Sequence, residues 1–157
     1  MPHFRYDDYK SIELCNDSEK IVFGFVEYHL QQNGILKIKE LKNNNIFNSP
    51  RYVGTTIFNE LLMRLNNHNL VFNRIVGTLA LMDAENGNWY DSIPFYFNFP
   101  NYLNKNLPYK LQCEIYDYEG LCWNIDRNIV NFETKLTNFI NKHKNAQKDA
   151  LLIFMRI

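Results

Sequence analysis

Three consecutive segments in the middle of the chain constrain the fold most strongly. Residues 35–42 alternate as a strand, residues from about Thr55 to Asn67 carry apolar side chains at helical spacing, and residues 71–82 form a strand that is apolar on both faces. The apolar helix positions are Ile57, Phe58, Leu61, Leu62 and Leu65. A strand that is apolar on both faces is typical of the centre of a sheet, beside a parallel neighbour. The three segments therefore predict a β-α-β unit with a right-handed crossover.

Antiparallel strands are predicted ahead of this unit. Residues 11–16 and 20–30 are rich in apolar and β-branched side chains, and Asn33-Gly34 is a strong signal for a tight hairpin turn into residues 35–42. Simple alternation along this third strand places Leu36, Ile38 and Glu40 on one face and Leu41 on the other.

Two further helices and two further strands are predicted after the unit. Because proline is tolerated only in the first turn of a helix, Pro94 predicts a helix from Ser92, a good N-cap, to Pro100. The remaining segments are a strand at 109–117 with a short continuation at 121–125, a helix from about Asn128 to Lys144 capped by Asp126, and a strand at 151–157.

This element order predicts one α/β (α+β) domain over residues 1–157. We expect a mixed central sheet with antiparallel N-terminal strands, the β-α-β crossover and helices on both faces. The C-terminal helix and strand should complete the sheet.

Composition excludes several classes of function. Lysine plus arginine and aspartate plus glutamate both number 17, so a diffuse nucleic-acid-binding surface is not expected. The three cysteines form no CxxC pair and the four histidines lie far apart, so no metal site is expected. The N-terminus has no apolar signal region, and no run approaches the roughly 18 apolar residues of a membrane helix. We therefore expect a cytoplasmic protein.

The most informative stretch for function is the junction at residues 49–56, between a strand and a long helix. The first backbone N–H groups of a helix have no partner within it, and the helix dipole adds positive charge there. A glycine such as Gly54 lets a phosphate approach the backbone. The alternative is an ordinary helix start without a ligand.

The motif Arg51-x-x-Gly54-x-Thr56 resembles the acyl-CoA loop, R/Q-x-x-G-x-G/A, of the GNAT-type N-acyltransferase superfamily. The flanking segments agree with that family: hairpin strands, then the helix, then a strand, and later Phe95-Tyr96 in a second helix. The resemblance covers residues 20–117. It implies a GNAT-like fold and the transfer of an acetyl group from acetyl-CoA to a small-molecule or peptide amine.

The resemblance also implies roles for individual residues. Backbone N–H groups of the loop would bind the pyrophosphate, supported by Arg51, and the splayed strand edge would pair with the pantetheine arm and stabilise the oxyanion. Tyr96 would protonate the departing thiolate, Glu40 or Glu27 would act as general base, and Asn86 or Asn88 would contact the cofactor. The implied cofactor-binding residues are Leu41, Lys42, Arg51, Tyr52, Val53, Gly54, Thr55, Thr56 and Asn88.

The chain departs from the family pattern at three points. Thr56 stands where the family has glycine or alanine, the loop before Arg51 is long and rich in asparagine, and too few residues precede strand 20–30 for the family's first two helices. Plainer alternatives are a solvated Arg51, a packed Tyr96, and carboxylates on a solvated strand face or in salt bridges to lysine. At the level of function, the alternatives are a CoA-binding or regulatory module without catalysis and an interaction protein that forms a homodimer.

Overall fold

The computed structural model describes residues 1–123 and 131–157, and in these residues seven strands form one mixed sheet in the order β1-β2-β3-β4-β5-β7-β6. The strands are β1 (His3–Asp7), β2 (Ser11–Cys15), β3 (Val22–Leu30), β4 (Ile35–Asn43), β5 (Arg74–Leu79), β6 (Leu111–Tyr116) and β7 (Ala150–Arg156). The helices are α1 (Val53–Asn67), α2 (Leu81–Glu85), α3 (Trp89–Asn98) and α4 (Phe132–Ala146), with a 3₁₀ turn at Phe99–Tyr102.

Strand pairing confirms the predicted class of fold. Strands β1 to β4 pair antiparallel, β4 pairs parallel with β5 across α1, and β7 inserts antiparallel between β5 and β6. The Asn33-Gly34 turn forms as predicted, with Gly34 at a φ of 82°. All five predicted apolar positions of α1 are buried. The mixed α/β sheet with flanking helices and a β-α-β crossover is therefore confirmed.

Helix α3 begins earlier than predicted. It starts at Trp89 rather than at Ser92, and Pro94 lies inside it instead of in the first turn. Trp89 and Ile93 are fully buried, and the indole N–H of Trp89 donates to the Ala80 carbonyl at 3.0 Å. Of these two side chains, Trp89 belongs to the additional residues 89–91, and its burial stabilises the earlier start of the helix.

The ends of two other predicted elements also differ. Strand β1 forms in a segment for which no strand was predicted, because Phe4 and its neighbours pair with β2. The predicted strand 71–82 is strand only at Arg74–Leu79, since the chain turns into α2 at Leu81. The predicted start of the C-terminal helix at Asn128 and its cap Asp126 lie outside the described residues, and α4 covers the remainder of that prediction. None of the described helices is long and apolar enough to cross a membrane.

Candidate functional site

Helix α1 begins without a side-chain cap. Its N-cap residue is Tyr52, which has a left-handed backbone (φ 60°) and makes no capping hydrogen bond. The resemblance implied the Thr56 N–H as a pyrophosphate donor, but this group donates to the Tyr52 carbonyl at 2.8 Å. The N–H groups without a partner within the helix are therefore those of Val53, Gly54 and Thr55. An uncapped helix start with three such donors is suited to an anion.

Gly54 allows α1 and α3 to pack closely and also leaves the backbone of the first turn of α1 accessible. A Cβ atom at this position would lie 3.2 Å from Cζ of Phe95 on α3. The glycine therefore lets the start of α1 pack closely against the ring of Phe95. This contact also fixes α3 beside the loop.

Gly24 on β3 brings the start of α1 against the sheet. A Cβ atom here would lie 2.5 Å from the Lys42 carbonyl oxygen on β4 and 2.7 Å from Cγ1 of Val53 on α1. No side chain other than hydrogen fits these distances without a shift. The missing side chain therefore allows the end of β4 and the first turn of α1 to lie next to each other.

Strands β4 and β5 separate beside this point. Their parallel pairing runs from Ile35 with Arg74 to Ile38 with Gly77 and then stops, although β4 continues to Asn43. Leu41 and Lys42 lie on this unpaired part of β4, so the edge that they present toward β5 carries backbone groups that no ladder bond to β5 satisfies. The opening between β4 and β5 is thus continuous with the uncapped start of α1.

A bulge in β4 changes the face on which Glu40 lies. The register shifts between Glu27 and Tyr28, so that Glu40 pairs with Glu27 and Leu41 with Val26. The sequence prediction placed Glu40 on the same face as Ile38, which is wrong because the extra residue in the bulge reverses the alternation. Leu41 instead packs against the core on the side of α1, and Glu40 lies on the opposite, exposed face.

Two carboxylates therefore lie directly opposite each other on neighbouring strands. Like charges in this position destabilise a sheet. Glu27 and Glu40 are both exposed and make no salt bridge with a described residue, which agrees with the alternative of a solvated strand face and not with that of a lysine pair. Glu27 also borders a cavity of about 390 Å³, the hairpin cavity, whose lining residues are Asp7, Tyr9, Lys10, Ser11, Glu27, Tyr28, His29 and Lys39.

Tyr96 is half-buried on α3 between aromatic rings. Its ring centroid lies 5.2 Å from that of Phe95 and 6.2 Å from that of Phe154 on β7. Burial of the phenol, and to a smaller extent the negative charge of Asp83, raise the pKa of Tyr96 to about 12. The hydroxyl is thus fully protonated at neutral pH, and it is a weaker acid than an ordinary phenol.

The other predicted residues lie on the surface around these elements. Arg51 is exposed and makes no ion pair within residues 1–123 and 131–157, as expected for a solvated charge. Asn88 is the N-cap residue of α3 and makes no side-chain capping bond. Trp89, the next residue, belongs to the core. In the same described ranges, no group of three or more His, Cys, Asp or Glu side chains could hold a metal ion.

The sequence analysis gave no positioning role to two residues that shape the site, Gly24 and Phe95. Gly24 carried a usable signal, since a glycine inside a strand pattern often marks the close approach of another backbone. Phe95 gave no such signal, because its contact with Gly54 depends on how α1 and α3 pack.

No protein-family model matches the chain, and a sequence search of curated proteins finds no significant match. Solved structures do match. A GNAT-family acetyltransferase from Staphylococcus aureus Mu50 is 11% identical with a TM-score of 0.52, and the match covers 93% of this chain and 66% of that one. The diaminobutyrate acetyltransferase EctA from Paenibacillus lautus is 9% identical with a TM-score of 0.50, and the match covers 94% of this chain and 70% of that one.

The similarity to these two solved structures is a similarity of fold. The chain spans just under two thirds of the staphylococcal protein, 66% of its length. Both alignments include nearly all of this chain, 93% and 94% of its length. The chain therefore has the fold of the GNAT-family acetyltransferases.

Proposed function

We propose that the protein binds acetyl-CoA and transfers its acetyl group to a small amine. The observation that carries this proposal is the continuity between the uncapped start of α1 and the opening between β4 and β5, which Gly24 brings together. A pyrophosphate on the N–H groups of Val53 to Thr55 would leave the attached arm directed along the free edge of β4. The arm could then pair with the backbone at Leu41 and Lys42.

The acceptor amine would approach from the opposite face of the sheet. Glu27 and Glu40 lie there as an exposed pair of carboxylates, and two neighbouring negative charges attract an ammonium group. One carboxylate, acting through water, would take a proton from the ammonium and leave a nucleophilic amine. The EctA structure, in complex with its substrate L-2,4-diaminobutyric acid and coenzyme A, supports a small amine as the first acceptor to test.

The transfer itself needs four changes. The amine nitrogen attacks the thioester carbonyl carbon while the backbone N–H near Leu41 stabilises the negative charge on the oxygen, the C–S bond breaks, the nitrogen releases its extra proton to solvent, and the thiolate takes up a proton. Tyr96 is the proposed proton donor. Its pKa of about 12 makes this step uphill by about 5 kcal/mol toward an ordinary thiolate of pKa about 8.5. Tyr96 would therefore have to be more acidic in the complex, or water would supply the proton.

The first experiment measures thermal unfolding of the full chain with acetyl-CoA. A ligand at about 100 times its Kd adds about 2.7 kcal/mol, which corresponds to a rise in Tm of about 5–11 °C for a domain of this size. No rise at millimolar acetyl-CoA would contradict the proposal and favour the interaction protein.

Matched variants at Thr56 locate the ligand. Thr56 is exposed in the first turns of α1, so Thr56→Asp adds a negative charge that the helix dipole tolerates but that repels a phosphate. We expect Thr56→Asp to keep its Tm without ligand and to lose most of the rise with acetyl-CoA. Thr56→Asn has a similar size and no charge, and it should behave like the wild type. Equal ligand responses in both variants would show that the pyrophosphate does not bind at this helix start.

A second candidate function is a CoA-binding module without catalysis. The packed Tyr96 with its raised pKa favours it, since such a phenol donates a proton reluctantly. Release of thiol from acetyl-CoA, measured over a panel of diamines, amino acids and peptides, distinguishes the two functions. Binding without thiol release over the whole panel would leave the non-catalytic module.

A further inference from the structure

A second polar cavity lies at the other end of α1. Its volume is about 120 Å³, and its polar lining residues are Asn66, Asn69, Tyr109 and Arg156. We call it the Arg156 cavity. Asn66 is 13 residues from Val53 along the helix, so at about 1.5 Å per residue this cavity is about 20 Å from the proposed acetyl-CoA loop.

The guanidinium of Arg156 is held in place without a counter-charge. Its Nη1 atom donates to the Phe72 carbonyl oxygen at 2.7 Å, and its Cζ atom lies 4.2 Å from the centroid of the Tyr109 ring and 5.2 Å from that of Phe72. Arg156 is half-buried, and it makes no salt bridge with a carboxylate of residues 1–123 or 131–157. A half-buried positive charge without a counter-charge is stabilised when an anion binds beside it.

Further donors at the cavity also lack partners. The hydroxyl of Tyr109 is buried and makes no hydrogen bond, which is costly for a polar atom. Burial raises the pKa of Tyr109 to about 12, against a smaller opposite effect of Arg156, so this hydroxyl keeps its proton. The side-chain amides of Asn66 and Asn69 make no hydrogen bond to a described residue. The side chains of Arg156, Asn66 and Asn69 all line the cavity and all carry N–H donors, whereas the Tyr109 hydroxyl is shielded from solvent.

The C-terminal end of α1 opposes an anion, but only weakly. Its partial negative charge is about half a unit, against the full positive charge of Arg156. The Arg64, Leu65 and Asn66 carbonyls each accept a backbone hydrogen bond from His68, Leu70 and Asn69, respectively. The charge of Arg156 therefore outweighs the helix end.

We propose that the Arg156 cavity binds a small oxyanion, either a carboxylate or a phosphate group. The aromatic rings cover the guanidinium and leave N–H groups at its edge, the arrangement that recognises two oxygens of one anion. The side-chain amides of Asn66 and Asn69 supply further donors. This site is independent of the proposed acetyl-CoA loop, so its test uses no CoA.

The test is a titration of the isotope-labelled full chain followed by the backbone amide signals of residues 66–72. Sodium acetate and sodium phosphate are added separately at constant ionic strength, with sodium chloride as the reference. We expect saturable shifts in these signals, and the anion with the lower Kd identifies the source of the ligand. Shifts at residues 51–56 instead would report phosphate at the start of α1 and would contradict this site.

Three variants test which side chains bind the anion. Arg156→Gln should weaken the preferred anion about tenfold or more, as expected for loss of a charged partner. Asn69→Gly removes one amide and suits the positive φ of 57° at this exposed residue, so it should fold and weaken binding about threefold. The exposed Arg74→Gln is the control and should leave the affinity unchanged.

Several results would overturn the proposal. The first is the absence of saturable shifts with both anions at millimolar concentration. The second is an equal loss of affinity in Arg74→Gln and Arg156→Gln, which would indicate a general effect of charge. If Arg156→Gln does not fold, the anion affinity of Asn69→Gly is the deciding measurement. An affinity of Asn69→Gly equal to that of the wild type would then refute the site.

Discussion

Replacement of Gly24 by alanine tests the packing that places α1 on the sheet. The added Cβ would lie 2.5 Å from the Lys42 carbonyl oxygen, 2.7 Å from Cγ1 of Val53 and 3.0 Å from Cδ1 of Ile57. The first of these neighbours is backbone of a paired strand and cannot rotate away. Either the start of α1 must move outward or strand β4 must bend.

The size of the effect follows from two opposing contributions. Overpacking of a tightly packed site costs about 1–3 kcal/mol, and the contact with a backbone atom favours the upper part of this range. Alanine restricts the unfolded chain relative to glycine and returns about 0.4–1 kcal/mol. We therefore expect Gly24→Ala to lower the free energy of unfolding by about 2 kcal/mol, which corresponds to a fall in Tm of about 4–8 °C.

Gly77 on β5 provides the matched control. A Cβ atom there would lie 3.8 Å from both the Ile38 carbonyl oxygen and Cδ2 of Leu152, which is ordinary contact. Gly77→Ala should therefore match the wild type or exceed it by about 0.5 kcal/mol. Thermal and urea unfolding of both variants measure the difference. Equal stability of Gly24→Ala and the wild type would refute the close approach of α1 to the sheet, and with it the continuity on which the proposed function depends.

Two further predictions concern chemistry and pH. Tyr96→Phe should keep the affinity for acetyl-CoA and lower thiol release by about 10²-fold if Tyr96 is the acid; unchanged turnover would assign the proton to water. Burial alone would raise the pKa of Asp117. Hydrogen bonds from the Lys142 ammonium (2.8 Å) and from two backbone N–H groups outweigh this effect, so the pKa of Asp117 is lowered. The same contact raises the pKa of Lys142. The Asp117 contribution to stability is therefore complete above its unfolded-state pKa of about 3.9 and disappears as the pH falls through the lower folded-state value. Lys142→Met should thus lower Tm at pH 7, with a difference that shrinks in acid; a difference independent of pH would refute the pair.

Local patterns in the sequence determined the elements whose residues interact with near neighbours. The stripe from Ile57 to Leu65 specified α1, because helical spacing places these side chains on one face whatever surrounds the helix. Asn33-Gly34 specified the β3–β4 turn through its backbone preference. The β-α-β unit followed, since two parallel strands joined by one helix permit only one common hand.

Only the tertiary structure decided the features that depend on distant partners. The pairing of β4 with β5 ends after Ile38, the bulge sends Glu40 to the face opposite α1, and Pro94 lies inside α3 because Trp89 is buried. None of these has a local signature, since each results from competition between a residue's own preference and contacts made across the sheet. The sequence by itself therefore determined the helix that bears the proposed loop. The opening beside that helix lies where β4 and β5 separate. Beyond that point β4 stays paired with β3 and β5 with β7, so only the tertiary structure decides where the separation begins.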